Sequence, residues 1–222
     1  MIELFHITGS CSFAARAALE EAGVEYRTID VHPRRRDEAE GFAEANPLKR
    51  VPTLRDGEVS VYETAAVLMY VAERFPAAGL APAPGSRERG DFLRWLTWLS
   101  NTLHGAWQAL DAPRFLTDTP EEVDGIRRKG RERLDAIGDY LERELTPGGW
   151  CLGAQFSVAD IYLYMLVGWQ SYSEDYVLGG GAVAAHYGRV GSRAAIARTR
   201  ELDDLDERFQ RYHPELRGGK PL

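Results

Sequence analysis

Cys11 stands between Ser10 and Ser12, shortly after Gly9 and just before the alanine-rich run Phe13–Ala18. If that run is a helix, the thiol lies at its mouth, where unpaired amides and the helix dipole favour an anion. A thiolate is such an anion, and helix N-termini lower cysteine pKa values. The plainer reading is that Ser10 or Ser12 caps the helix and Cys11 is a small buried residue. A thioredoxin-type dithiol is excluded locally, because Cys11-Ser12-Phe13-Ala14 lacks a second cysteine. A redox cycle on Cys11 therefore needs an outside thiol.

Two further stretches carry binding chemistry. In NPLKRVPTL, Asn46 to Leu54, Pro52 cannot donate in a sheet ladder and belongs at the start of a strand. The trans preference of an X-Pro bond is only about 0.5–1 kcal/mol, so a cis bond before Pro52 is open. Such a turn leaves the amide and carbonyl of Val51 free to pair with an extended peptide; an ordinary turn is the alternative. In YETAAVLMY, Tyr62 to Tyr70, Glu63 and Thr64 stand at a helix start. The Thr64 hydroxyl and nearby amides suit a carboxylate. Glu63 suits an ammonium, so the pair suits an α-amino-acid head group. Without a ligand they are an N-cap pair.

Thr97, Asn101, His104 and Gln108 are spaced four, three and four apart, along one face of a helix. The stripe carries no lysine or glutamate, unlike an ordinary solvated face, and Trp98 and Trp107 flank it. It reads as the wall of a cleft. A hydrogen-bonded core histidine is the alternative for His104.

The elements that must position these residues follow from periodicity. Ile2–Ile7 alternates as a strand, and Ser12–Ala22 reads as a helix stopped by Gly23. Tyr26–Val31 is a second strand, and Glu38–Ala45 a short helix ended by Asn46-Pro47. Thr53–Arg55 and Val59–Val61 flank Asp56-Gly57, a hairpin signal, and Glu63–Phe75 is a helix stopped at Pro76. The order βαβαββα suggests a mixed sheet with helices packed on it. PAAGLAPAPGS, Pro76 to Ser86, is linker-like, and everything beyond it reads as helix. This divides the chain into an α/β domain over 1–77, a linker over 78–86 and an all-helical domain over 87–222. Phe92, Leu96, Leu99, Leu103 and Leu110 mark the core stripe of one long helix. Thr119-Pro120-Glu121-Glu122 reads as a capping box for a helix reaching about Leu145. Ser157-Val158-Ala159-Asp160 reads as another, and further helices are expected from Ala182 to Phe209 before a frayed RGGKPL tail.

Composition narrows the function. The 222 residues carry 27 basic and 34 acidic side chains, a formal charge of −7. That argues against general nucleic-acid binding, which draws on basic patches. Arg34, Arg35 and Arg36 form the one dense basic run, a solvated loop or an anion contact. Cys11 and Cys151 are the only cysteines, too few for a disulfide framework and without zinc-ligand spacing, so no metal is expected. No apolar run approaches the roughly 20 residues of a membrane span. The opening Met-Ile-Glu-Leu-Phe reads as a strand and not as a signal peptide. The expectation is a cytoplasmic protein with reduced thiols that binds neither nucleic acid nor membrane.

Taken in order, these stretches resemble the glutathione transferase family over nearly the whole chain. GSCSFAARAALEEAG is most similar to the bacterial beta class, in which a cysteine stands at this helix mouth. RVPTL resembles the family's Val-Pro segment with cis-proline, ETAAV its glutathione-carboxylate motif, and FSVADIYL its helix cap and staple. LSNTLHGAW resembles the beta-class segment whose histidine faces the glutathione site, which points to His104.

The resemblance implies a thioredoxin-like N-terminal domain, an all-helical C-terminal domain and a homodimer. It implies that glutathione is the co-substrate, conjugated through sulfur to a small hydrophobic electrophile. Val51 would pair through its backbone with the cysteinyl part, beside Pro52. Glu63 and Thr64 would hold the γ-glutamyl end, an arginine of the 34–36 run the glycine carboxylate, and Cys11 would lie beside the glutathione sulfur. His6 stands where the beta class commonly has a tyrosine. Asn101, Trp98 and Trp107 would line the cleft. Lowering a thiol pKa by about two units takes roughly 2.7 kcal/mol. A helix dipole supplies about 0.3–1 and at best about 2 kcal/mol, a hydrogen bond to a charged group about 1.5–3. The dipole therefore needs one donor from Cys11, Ser12 or Ser10. The rivals are a glutathione-dependent thiol-disulfide reductase or peroxidase using Cys11, and a non-catalytic binding module of the same fold.

Overall fold

Alternation along β1 (Ile2–His6) sends Leu4 to one face of a sheet and Phe5 to the other. The computed structural model describes residues 1–173 and 176–203. Within it follow α1 (Ser12–Ala22), β2 (Tyr26–Asp30), α2 (Phe42–Ala45), β3 (Thr53–Asp56), β4 (Val59–Tyr62) and α3 (Thr64–Arg74). This is the βαβαββα order. The four strands form one sheet in the order β2-β1-β3-β4, with β1 and β2 parallel and the other pairs antiparallel. The register sets Leu4 opposite Leu54 and Phe5 opposite Thr53. On one face Leu4 and Leu54 join Phe13, Ala14, Ala17 and Ala18 of α1 and Val67, Leu68 and Val71 of α3. On the other, Phe5, Ile7 and Val31 pack against Phe42 and Ala45.

The remainder is helical: α4 (Glu88–Trp98), α5 (His104–Asp111), α6 (Val123–Glu144), α7 (Val158–Gly168), α8 (Gly181–Gly191) and α9 (Ala194–Asp203). Every residue of α7 is buried, and this helix packs against both α1 and α3. α5 and α6 approach closely at Gly130, where a Cβ would meet the Leu110 amide nitrogen at 2.7 Å. The expected long helix is interrupted by a π turn over Leu99–Leu103. The Ser157 cap forms as read: its hydroxyl accepts from the Ala159 amide at 3.2 Å, and Asp160 Oδ2 accepts from the Ser157 amide at 2.9 Å. The Thr119 box does not form. Pro120–Glu122 is a 3₁₀ turn, and Glu122 instead accepts the Thr117 hydroxyl. The expected helix beyond Asp203 and the RGGKPL tail lie outside the described residues. No described helix is long and apolar enough to cross a membrane.

Candidate active site

Gly9, at φ 74°, turns the chain out of β1, and Cys11 becomes the N-cap of α1 without a side-chain capping bond. Its thiol is left to reach across to the loop before β3, where it donates to the Val51 carbonyl at 2.9 Å. The Val51-Pro52 bond is cis. Asn46 shapes this loop: it accepts from the Leu48 amide and donates to the Arg50 carbonyl, each at 2.9 Å, and to Thr53 Oγ1 at 3.0 Å. Arg36 braces it from outside, donating to the Lys49 carbonyl at 2.9 Å.

Across from Cys11, Glu63 precedes α3 with φ 73° and an exposed side chain. A non-glycine residue in that region costs of order 1–3 kcal/mol and persists where the surroundings impose it, often at ligand clamps. Thr64, the first residue of α3, is buried, and its hydroxyl faces the thiol. Burial pushes the Cys11 thiol up to about 11, against the Thr64 hydrogen bond; Glu63 adds to the rise and Arg36 opposes it. Cys11 is therefore a protonated donor at neutral pH in this arrangement.

Ser12 and Ser10 serve the backbone and not the opening. Ser12 is fully buried; its Oγ accepts from the Ile7 amide at 3.1 Å and lies 2.8 Å from both His6 Nδ1 and Ser10 Oγ. Ser10 Oγ donates to the Ile7 carbonyl at 2.7 Å. His6, expected among the binding residues, is only 1% exposed. Its Nε2 faces Asp203 Oδ1 at 3.2 Å, and Arg16 donates to the same oxygen at 2.6 Å. This corrects both expectations. Alternation in β1 and the first turn of α1 point these side chains inward, so both are buried with partners inside the protein.

The long helix also departs from the sequence reading. The π turn inserts an extra residue and shifts the face beyond it, and Thr97, Asn101 and Gln108 are exposed on either side of the turn and within it. Asn101 is exposed on the turn. Trp107 is a core residue, 1% exposed and edge-on to Tyr176. Trp98 packs on Trp95 and on Tyr140 of α6. His104 is half-buried, its Nδ1 3.3 Å from the Tyr162 hydroxyl and its ring edge-on to Trp169. Desolvation drives its pKa down to about 4, so the imidazole is neutral.

Three positions escaped sequence reasoning. Asn46 carried a signal in Asn46-Pro47, a turn-initiating pair. Tyr162 and Asp203 carried none, since each acts across the fold from a helix that reads as ordinary. Among the described residues one group, Cys151, Asp160 and His186, brings three potential metal-ligand atoms within 4.8 Å of one another. There Asp160 Oδ1 lies 2.8 Å from His186 Nε2 and accepts from the Cys151 amide at 2.7 Å, so the group closes on itself as an extension of the helix cap.

Known proteins resemble this chain over both its sheet-bearing and its helical parts. The family profiles described as "Glutathione S-transferase, N-terminal domain" and "Glutathione S-transferase, C-terminal domain" match residues 1–73 and 86–189. Glutathione S-transferase GstA of Escherichia coli O157:H7 is 28% identical over 171 residues, 76% of this chain and 82% of that protein. The disulfide-bond oxidoreductase YghU of Escherichia coli K12 is 26% identical over 165 residues, 71% of this chain and 52% of YghU. A sphingomonad glutathione S-transferase solved in complex with glutathione superposes with a TM-score of 0.77 at 32% identity, covering 91% of this chain and 99% of the other. The beta-class enzyme of Sphingomonas chungbukensis does so with a TM-score of 0.77 at 28% identity, over 91% and 99%.

Proposed function

Because the chain belongs to the glutathione S-transferase family, we propose that it binds glutathione at the mouth of α1 and conjugates the thiolate to small hydrophobic electrophiles. The cysteinyl part pairs with the Val51 backbone beside Pro52. Glu63 holds the γ-glutamyl ammonium, and the Thr64 hydroxyl with the amides at the start of α3 holds its carboxylate. Of the arginine run, Arg36 is the member whose charge acts on Cys11, and we assign it to the glycine end of the ligand. Glutathione thus bridges α1, the cis-proline loop and α3.

The observation that carries this reading is the Cys11 thiol, held protonated and within hydrogen-bonding distance of the carbonyl that the ligand would share. A protonated thiol is a donor. Placed beside the glutathione sulfur, it adds about 1.5–3 kcal/mol to the dipole's contribution, which covers the roughly 2.7 kcal/mol needed for two pKa units. The reductase reading needs Cys11 as the attacking thiolate, and burial opposes that form. We further propose the division into residues 1–77, 78–86 and 87–222, a cytoplasmic homodimer, and a cleft between the domains for the electrophile. Turnover of a chlorinated nitroarene without turnover of hydroxyethyl disulfide supports the transferase. The reverse supports the reductase, and glutathione binding with neither activity supports a binding module.

A further inference from the structure

Val51 is half-buried, and among the described residues its amide has no hydrogen-bond partner. Backbone donors with so little access to water are nearly always paired, so this one faces an opening. The peptide that carries it, Arg50–Val51, is held at its other end. The Arg50 carbonyl accepts from Asn46 Nδ2 at 2.9 Å and from Thr53 Oγ1 at 2.7 Å. Nδ2 gives its second proton to Thr53 Oγ1 at 3.0 Å, and both side chains are fully buried. We propose that Asn46 and Thr53 are positioning residues which draw the Arg50 carbonyl inward and so aim the Val51 amide at a carbonyl of the bound ligand. The inference rests on the glutathione reading for its ligand, but the held peptide exists in the free protein.

Each bond in this group has one possible direction. The Leu48 amide has only a proton to give, so the group 2.9 Å from it is Asn46 Oδ1. That sets Nδ2 against the Arg50 carbonyl, which has only lone pairs. Thr53 Oγ1 accepts the other Nδ2 proton and gives its own to the same carbonyl, which uses both of that oxygen's lone pairs. The Arg50–Val51 peptide is trans and planar, so its C=O and N–H point in opposite directions. A carbonyl drawn into the core therefore sends the Val51 N–H outward. Arg36 Nη1 holds the preceding carbonyl, that of Lys49, at 2.9 Å, so two successive peptides are anchored. An amide already aimed loses little freedom when a ligand carbonyl arrives; a loose one has to be ordered by the binding itself.

Thr53→Val keeps the shape of the strand residue and removes one of the two donors. With a chlorinated nitroarene, KM for glutathione should rise about 3- to 10-fold, with kcat at saturating glutathione within about twofold of wild type. The split follows because an aimed amide holds substrate and transition state alike. Thr53→Ser returns the hydroxyl and should bring KM back to within about twofold. A merely structural Thr53 would move the melting temperature and leave the KM of the folded enzyme in place. In the wild-type protein, hydrogen exchange followed by nuclear magnetic resonance should find the Val51 amide exchanging within about tenfold of an open chain, and slowed at least about tenfold by saturating glutathione. A Val51 amide protected in the free protein overturns the proposal. So does an unmoved KM in Thr53→Val, a loss confined to kcat, or a Thr53→Ser enzyme as impaired as Thr53→Val. If Thr53→Val does not fold, Thr53→Ala must show the same split, and an unmoved KM there overturns it equally. Failure of the wild-type protein to bind glutathione refutes the function proposed above, and the exchange of Val51 in the free protein then decides this inference alone.

Discussion

Ser12→Ala separates a structural serine from a catalytic one. The Ser12 hydroxyl is fully buried and is the partner of the Ile7 amide at 3.1 Å and of His6 Nδ1 at 2.8 Å. Removing it leaves one buried donor and one buried ring nitrogen unpaired. Each such loss costs about 1–3 kcal/mol, so the variant should lose about 2–6 kcal/mol of stability. A chain of this size moves about 2–4 °C per kcal/mol, which makes a fall of roughly 8–16 °C for a loss near the middle of that range. Calorimetric melting at neutral pH reads the fall directly. Turnover measured well below the transition should change little, and the thiol pKa of bound glutathione should stay in place, because the Ser12 hydroxyl is buried and held by Ile7, His6 and Ser10. A melting temperature within about 2 °C of wild type, combined with a thiol pKa raised by a unit or more, would refute the structural assignment.

Other outcomes follow from the same geometry. Glu63→Gln should weaken glutathione binding about 10- to 100-fold by calorimetry, since the ligand's ammonium loses its charged partner. Glu63→Gly should weaken binding as strongly yet leave the melting temperature unchanged or raised, because glycine adopts φ 73° without strain; a large loss of stability would contradict the strained-clamp reading. His104, held down to about 4 against an ordinary value near 6.5, favours the folded protein above pH 6.5, and that contribution is lost as pH falls toward 4. Urea melts should show about 1–3 kcal/mol less loss over that interval in His104→Gln than in wild type, and identical slopes would refute it. Asp160→Ala removes the acceptor of the Ser157 and Cys151 amides at one stroke and should cost about 3 kcal/mol or more; a drop under 1 kcal/mol would show that the cap is dispensable.

The sequence was most informative where local rules act. The strand read over Ile2–Ile7, the Asp56-Gly57 turn and the Ser157 box are each decided within a few residues, and each forms, the strand ending one residue earlier at His6. The same locality brought Cys11, Val51, Glu63 and Thr64 together, because a helix mouth, a cis-proline turn and a second helix mouth meet at one end of the sheet. What failed needed the third dimension. A one-residue insertion in the helix ladder cannot be seen in Leu99–Leu103, yet it rotates every side chain beyond it. Trp107 and Trp98 looked alike in the sequence, and only packing against Tyr176 and Tyr140 separates a core residue from a half-buried one. His6 and Asp203 are 197 residues apart and meet through α9, so no spacing rule connects them. Tyr162 sits in a helix buried on every side, where a hydroxyl facing a site is indistinguishable from one facing the core.

The central claim is that the mouth of α1 stabilises the thiolate of bound glutathione. The direct measurement is an ultraviolet titration of thiolate absorbance in the wild-type complex, with the free protein subtracted. The expected result is a bound thiol pKa about two units below that of a free thiol, the amount that the helix dipole and one donor together supply. A bound thiol that titrates as it does in free solution would contradict the claim.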